Sequence, residues 1–124
     1  MRRLKIEGIV TSGIGKGSYY TSISHYSGFF ERLLGGKIAS GTLNVRLKNM
    51  RWYDLSPIYK KFAPQDGYGA IYYAYASLCG ETVLIVRPEK TTHGDDVIEV
   101  VAKCNLKSKF GLKDGDKIEL EVIE

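Results

Sequence analysis

Short stretches in which apolar and polar residues alternate recur along this chain, and that period of two limits its fold more than any other feature. In the first stretch, residues 3–11, the side chains of Leu4, Ile6, Gly8 and Val10 share one face. The same pattern predicts further strands at residues 42–47, 70–78, 82–86, 97–102 and 117–123. Turn residues separate them, and Cys79-Gly80-Glu81 is typical of a hairpin turn.

Two stretches have the spacing of a helix instead. The first begins near Ser24 and ends at Gly35, and its apolar residues recur every three or four positions. The second is a turn and a half at residues 106–110. Residues 50–66 are predicted to be a loop, because their prolines oppose a long regular element. Many strands and few helices predict one all-β domain, residues 1–124, folded as a small barrel.

The composition indicates how this domain is stabilised and where in the cell we expect it. Hydrophobic residues make up 44% of the 124 residues, which is enough for a buried core without disulfide bonds or structural metals. No apolar run approaches the roughly 20 residues that span a bilayer, and the first residues lack a signal-peptide core. We therefore expect a cytoplasmic protein with no membrane partner. Its two cysteines, Cys79 and Cys104, have no metal-ligand spacing and are expected to be free thiols.

A glycine-rich segment follows the first strand directly. It reads Gly13, Ile14, Gly15, Lys16, Gly17 and Ser18. Glycine lacks a Cβ, so the backbone N–H groups of such a loop can curl around a phosphate, and a lysine adds positive charge. The spacing fits neither the Walker P-loop nor the dinucleotide-binding fingerprint. The alternative interpretation of this segment is a flexible turn between strands. The net charge of the whole chain is +4, which suits an anionic partner, either a nucleotide or a nucleic acid.

Thr42 and Asn44 lie at alternate positions of the second predicted strand, so their side chains share one face about 7 Å apart. A hydroxyl and an amide carbonyl are neutral oxygen donors, which a hard cation such as Mg²⁺ accepts together with phosphate oxygens and water. Ordinary alternation with polar residues facing solvent explains the same pair equally simply.

Glu99 faces the same way as Val97 and Val101 on a predicted strand. A carboxylate on an apolar face needs a partner or a ligand, so Glu99 is a candidate for hydrogen bonding to a substrate or for taking its proton. His93 is a second candidate base by its ordinary pKa. The alternatives are a solvent-facing glutamate and a surface histidine.

Five loose motifs occur here in one order, and together the sequence resembles the archaeal CTP-dependent riboflavin kinases over nearly its whole length. They are the glycine segment 13–17, Gly41-Thr42-Leu43-Asn44, residues 88–93, residues 97–102 and Leu112-Lys113-Asp114-Gly115-Asp116. The resemblance implies a six-stranded cradle-loop barrel of the RIFT type. Some relatives carry an additional helix-turn-helix domain before the barrel, which we do not expect in this chain.

The resemblance also implies an activity, transfer of the γ-phosphate of CTP to the ribityl 5′-hydroxyl of riboflavin, giving FMN and CDP. By position, Gly13 to Ser18 would hold the nucleotide phosphates and Cys104, Asn105, Leu106 and Lys107 would border the nucleotide. Thr42 and Asn44 would bind Mg²⁺. Thr91 and Glu99 would contact the flavin, with Glu99 the candidate base. We expect a monomer.

Two other classes of protein remain open. The segment 111–118 also resembles transcription regulators of the AbrB type, which are DNA-binding barrels of related topology. Such a protein needs a clustered basic face, whereas the charge here is mild and scattered, so we expect no nucleic-acid partner. A flavin-binding module without catalysis is the third class, and consumption of a nucleotide would distinguish it.

Overall fold

Seven antiparallel strands, two α-helices and one 3₁₀ helix make up the part of the chain described by the computed structural model, residues 3–12, 24–64, 69–89, 91 and 93–123. The helices are α1 (Ser24–Leu34), a 3₁₀ helix (Trp52–Ile58) and α2 (Leu106–Phe110). The strands are β1 (Arg3–Thr11), β2 (Leu43–Leu47), β3 (Lys60–Phe62), β4 (Ile71–Leu78), β5 (Glu81–Pro88), β6 (Val97–Val101) and β7 (Lys117–Ile123).

Six of these strands close into a barrel. Their order is β4, β5, β6, β2, β1 and β7, and β7 then pairs back onto β4 through Ala76 with Val122 and Ser77 with Glu121. Strand β3 lies outside this ring and pairs only with the beginning of β4. The all-β prediction of a small six-stranded barrel with few helices is confirmed.

Alternation along each strand fills the barrel interior with aliphatic side chains. Val10, Val45 and Ile98 are cross-strand neighbours there, and each is almost fully buried. Gly8 also faces inward, and a Cβ at this position would come within 2.3 Å of Val45 Cγ1, so only glycine fits so close an approach. Leu4 does not share this burial, since it remains 43% exposed near the beginning of β1.

Each end of the barrel is closed by a short helix. At the end where β1 finishes and β2 begins, α2 puts Leu106 into the core. We call this the glycine-loop end, because residues 13–18 follow it in the chain. At the opposite end, called here the Trp52 end, the 3₁₀ helix puts Leu55 into the same core. β5 leaves the barrel and β6 enters it at the Trp52 end.

Helix α1 packs on the outside of the barrel. Its apolar face covers outward side chains of β4, β5 and β6, forming a second core of Tyr26, Phe30 and Leu34 against Ile71, Leu84, Val86 and Val101. The Tyr75 hydroxyl donates to the carbonyl of Leu33 and ties the end of the helix to β4. The helix ends as predicted at Gly35, whose φ of +77° lies in the left-handed region.

The prediction of a loop over residues 50–66 was wrong in part. A 3₁₀ helix and the three-residue strand β3 occupy most of that segment. The 3₁₀ turn lacks the 3.6-residue periodicity used to detect helices, and it tolerates Pro57 because its hydrogen bonds are few. Asp54 stabilises its start by accepting from the Arg51 N–H at 2.8 Å. Among the described helices none is long and apolar enough to cross a membrane.

Candidate active site

A row of side chains crosses the outer face of the barrel from β1 to β5. Thr11 pairs with Asn44, Asn44 pairs with Glu99, and Glu99 pairs with Val86. Directly paired residues of antiparallel strands put their side chains on the same face. The strand register therefore brings Asn44 and Glu99, which are 55 positions apart in sequence, side by side, immediately next to the residue from which the chain leads toward the glycine segment.

Glu99 is a buried carboxylate with a defined partner. Only 3% of the residue is exposed, and the hydroxyl of Thr42 donates to its Oε1 at 2.8 Å. A hydroxyl that donates its hydrogen to a carboxylate keeps its lone pairs for another electrophile. Thr42, Asn44 and Glu99 thus form one polar cluster, and the burial of Glu99 contradicts the solvent-facing interpretation of that residue.

The side-chain carbonyl oxygen of Asn44 is buried and has no hydrogen-bond partner among the described residues. A buried polar atom left unsatisfied costs about 1–3 kcal/mol, so this oxygen is available to a ligand. Neutral oxygens at Asn44 and Thr42, beside a carboxylate, are the donor chemistry that Mg²⁺ accepts. The residues present therefore fit the predicted divalent cation.

At the glycine-loop end, Asp114 joins two parts of the predicted nucleotide site. Its carboxylate accepts from the Ser12 hydroxyl and from Lys107 Nζ, the latter at 3.0 Å. The hydrogen bond from Ser12 and then the one from Lys107 lower the pKa of Asp114. The six residues Gly13 to Ser18 lie outside the described part of the chain, but Ser12, which precedes them, is fixed against the turn that contains Asp114.

The four residues predicted to border the nucleotide lie at this same end in different surroundings. Leu106 is buried in the barrel core, and the Asn105 side chain accepts from the Ser108 N–H at 3.0 Å as the cap of α2. Cys104 is half-buried, and Lys107 is exposed. Contacts from Asn105 and Leu106 to a nucleotide would therefore come from their backbone, because both side chains have structural tasks.

Thr91 lies beyond the end of β5, on the Trp52 side of Glu99, and so away from the nucleotide group. Its Oγ1 accepts from the His93 N–H at 3.2 Å, which leaves the hydroxyl hydrogen able to donate to a ligand. The site residues predicted from the sequence thus form three groups. Thr42, Asn44 and Glu99 lie in the middle, Cys104 to Lys107 on one side and Thr91 on the other.

Two residues of this region were missed at the sequence level, Arg87 and Asp114. Arg87 is 7% exposed, and its guanidinium hydrogen-bonds the carbonyls of His93, Gly94 and Val97. An arginine within the apolar run of β5 was a readable signal, because a buried charge must be paired. Asp114 belongs to the fifth motif, but its turn sequence is typical of any turn before a strand, so it was assigned no role.

Comparison with known proteins adds a family to this geometry. Residues 10–122 match the model of a family named CTP-dep_RFKase and described as "Domain of unknown function DUF120". The chain is 36% identical to the riboflavin kinase of Methanobrevibacter smithii over 123 residues, which cover 95% of this chain and 99% of that protein. The chain belongs to the riboflavin kinase family. The resemblance predicted from the five motifs is thereby confirmed.

Other riboflavin kinases are longer than the part they share with this member of the family. The protein of Pyrobaculum calidifontis is 37% identical over 127 residues, which are 96% of this chain and 60% of that protein. The protein of Archaeoglobus fulgidus is 34% identical over 128 residues, which are 97% of this chain and 55% of that protein. The chain therefore spans nearly the whole of the Methanobrevibacter relative and just over half of these two.

Proposed function

We propose that this protein is a riboflavin kinase that transfers the γ-phosphate of CTP to the 5′-hydroxyl of riboflavin. The observation that carries the proposal is the cluster of Thr42, Asn44 and Glu99, which lies beside the strand end that leads into the glycine segment. It combines cation-binding oxygens and a buried carboxylate next to a segment suited to phosphates. The choice of CTP is supported by the name of the matched family.

Phosphoryl transfer depends mainly on in-line positioning and on charge stabilisation. In the proposed reaction the riboflavin oxygen forms a bond to Pγ, the bond from Pγ to the bridging oxygen breaks, and CDP leaves. The glycine segment and Lys16 would hold the phosphates, and Cys104 to Lys107 would border the nucleotide. Thr42 and Asn44 would hold Mg²⁺, which when bound neutralises charge on the transferring phosphate.

Glu99 is proposed to orient the ribityl 5′-hydroxyl and to accept its proton. The carboxylate is buried beside the cation-binding oxygens, and its Oε1 is fixed by Thr42, so its plane is set before substrate arrives. Thr91 is proposed to contact the flavin from the Trp52 side. Riboflavin would then lie along the outer face of β6, with its hydroxyl at Glu99 and its ring system toward the Trp52 end.

Family membership does not favour the DNA-binding alternative, and neither does the polar cluster, which has no task in a DNA-binding barrel. A passive flavin-binding module differs from a kinase only in whether nucleotide is consumed.

The test is to incubate the purified protein with riboflavin, Mg²⁺ and each of CTP, ATP, GTP and UTP, and to separate FMN by chromatography. We expect FMN with CTP at a rate far above that with ATP. Equal rates with CTP and ATP would contradict the proposed donor. Riboflavin binding without FMN formation from any nucleotide would overturn the kinase and leave the passive module.

A further inference from the structure

The Arg87 guanidinium is the most extensively bonded buried charge in the part of the chain that the structure describes, and the proposed reaction does not use it. Arg87 Nη1 donates to the carbonyls of Gly94 and Val97, each at 2.7 Å. Nη2 donates to the carbonyl of His93 at 3.2 Å and lies 3.8 Å from a carboxylate oxygen of Asp95. One side chain therefore holds most of the segment from His93 to Val97.

Aromatic residues hold Arg87 itself in place. Its guanidinium carbon lies 5.3 Å from the ring centroid of Trp52, within the range of a cation–π contact. The Trp52 ring also contacts Tyr59 and Tyr72, whose centroids are 6.0 Å and 5.4 Å away. The planar fork therefore has a fixed orientation, which a flexible lysine ammonium would not reproduce.

The segment that Arg87 holds is directly connected to Thr91. The residue whose carbonyl accepts from Arg87 Nη2, His93, also donates its backbone N–H to Thr91 Oγ1. A path of two hydrogen bonds therefore runs from the buried guanidinium through one peptide residue to a hydroxyl on the flavin side. The Thr91 N–H also donates to the carbonyl of Pro88 at 3.3 Å, so both ends of this turn are anchored.

We propose that Arg87 is a positioning residue for riboflavin, holding His93 so that the Thr91 hydroxyl is presented to the flavin. This inference rests on the proposed function for the identity of the ligand. It assigns Arg87 no chemistry and no bond to either substrate. It predicts that changing Arg87 weakens flavin binding through Thr91 and leaves the nucleotide side as it was.

The experiment measures riboflavin affinity directly, by quenching of flavin fluorescence in the absence of nucleotide. We expect Arg87→Lys to raise the riboflavin Kd about tenfold, since charge-assisted hydrogen bonds are lost. The Kd for CTP, measured by calorimetry, should change less than twofold. Tyr53→Phe is the matched control, because Tyr53 contacts the Trp52 ring from the exposed surface and is not joined to Arg87 by any described contact, and its riboflavin Kd should match that of the wild type.

A double-mutant cycle separates positioning from general loosening. If Arg87 acts through Thr91, then Arg87→Lys should have little further effect on riboflavin affinity in a Thr91→Val background. Full additivity of the two changes, or an unchanged riboflavin Kd in Arg87→Lys, would overturn the inference. Equal losses of riboflavin and CTP affinity would overturn it as well, because they indicate a structural role only.

A measurement on the wild-type protein covers the case in which Arg87→Lys does not fold. Amide hydrogen exchange of the free protein should show slow exchange of the His93 and Val97 N–H groups, which donate to Thr91 Oγ1 and to the carbonyl of Gly94. Exchange there at the rate of an unstructured peptide would overturn the inference. Flavin binding without CTP consumption would instead remove the kinase proposal and leave the role of Arg87 intact, so the two failures are distinguishable.

Discussion

The ion pairs near α2 at one end of the barrel and the Arg87 network at the other hold charge in different ways. At the glycine-loop end the ion pairs of Lys107 with Asp114 and of Lys109 with Glu81 lie at the surface, with half-exposed lysines. At the Trp52 end the Arg87 side chain is 8% exposed and bonded to three carbonyls. Surface pairs exchange partners at little cost, whereas breaking a buried charge network is strongly destabilising.

The difference suits the two proposed substrates. A nucleotide triphosphate brings its own charge and a cation, so exposed groups such as Lys107 can leave one partner for another as it binds. Riboflavin is uncharged and offers few strong contacts, so its site gains affinity from preorganisation. If the proposed substrates bind as described, rigidity lies where the ligand supplies the least electrostatic attraction. The middle group of Thr42, Asn44 and Glu99 lies toward the glycine-loop end, since Asn44 pairs with Thr11 at the end of β1.

The largest expected effect is the loss of turnover on changing Glu99. It tests whether Glu99 takes part in phosphoryl transfer or only binds the flavin. Glu99→Gln keeps the shape and a carbonyl acceptor but removes the basicity. General-base contributions are about 10²–10⁴ in rate, so we expect turnover at saturating riboflavin to fall at least about tenfold. Steady-state kinetics on this variant and on Thr91→Val check the assignment, the latter acting mainly on apparent riboflavin affinity. A change confined to the Michaelis constant would make Glu99 a binding residue.

The next largest effect is on cation affinity, and it tests which residues of the middle group bind the ion. Asn44→Ala and Thr42→Ala should each weaken divalent-ion affinity about tenfold or more, while riboflavin affinity changes little. Titration with Mn²⁺ followed by electron paramagnetic resonance measures ion binding apart from activity. The Asn44 variant should also have a melting temperature at least as high as that of the wild type, because the carbonyl oxygen it lacks is buried without a partner in the described structure. Lys48→Ala, which removes an exposed ion pair with Glu7, is the control. Wild-type ion affinity in both site variants would exclude Thr42 and Asn44 as ligands.

The smallest effect is on stability at the glycine-loop end. The hydrogen bond from Lys109 lowers the pKa of Glu81, so the folded state holds the ionised carboxylate more strongly than the unfolded chain does. This contribution is present above the unfolded pKa of about 4.5 and is lost as the pH falls through the folded value. Melting temperatures of wild type and Glu81→Gln should therefore differ slightly near neutral pH and converge in acid. A difference that does not depend on pH would refute this account.

Much of the fold was predictable because alternation acts locally. The bounds of β1, β7 and α2 agree with the predictions to the residue, since each element is flanked by turn residues and has a clear period. The 3₁₀ helix was missed because it has no such period. Its position depends on Leu55 entering the core and on the Trp52 N–H donating to the carbonyl of Asp95, a contact across 43 positions.

The candidate site was predictable in its parts and not in its assembly. Alternation assigns Thr42 and Asn44 to one face of the predicted strand 42–47, and Glu99 to one face of β6. It does not fix the register between two strands, so the hydrogen bond from Thr42 to Glu99 follows only from the closed barrel. The fork of Arg87 is harder still, because its partners are backbone carbonyls that carry no sequence signal.

Pairing of β1 with β7 has a consequence for how the chain may be connected. Arg3 and Ile123 are direct cross-strand neighbours, so the first and last described residues lie about 5 Å apart at their Cα atoms. A short linker there, with new termini opened in the exposed turn at Cys79 and Gly80, gives a circular permutant with the same strand pairs. In the permutant, β7 and β1 become a hairpin, and the pairing of β4 with β5 joins the two ends of the chain.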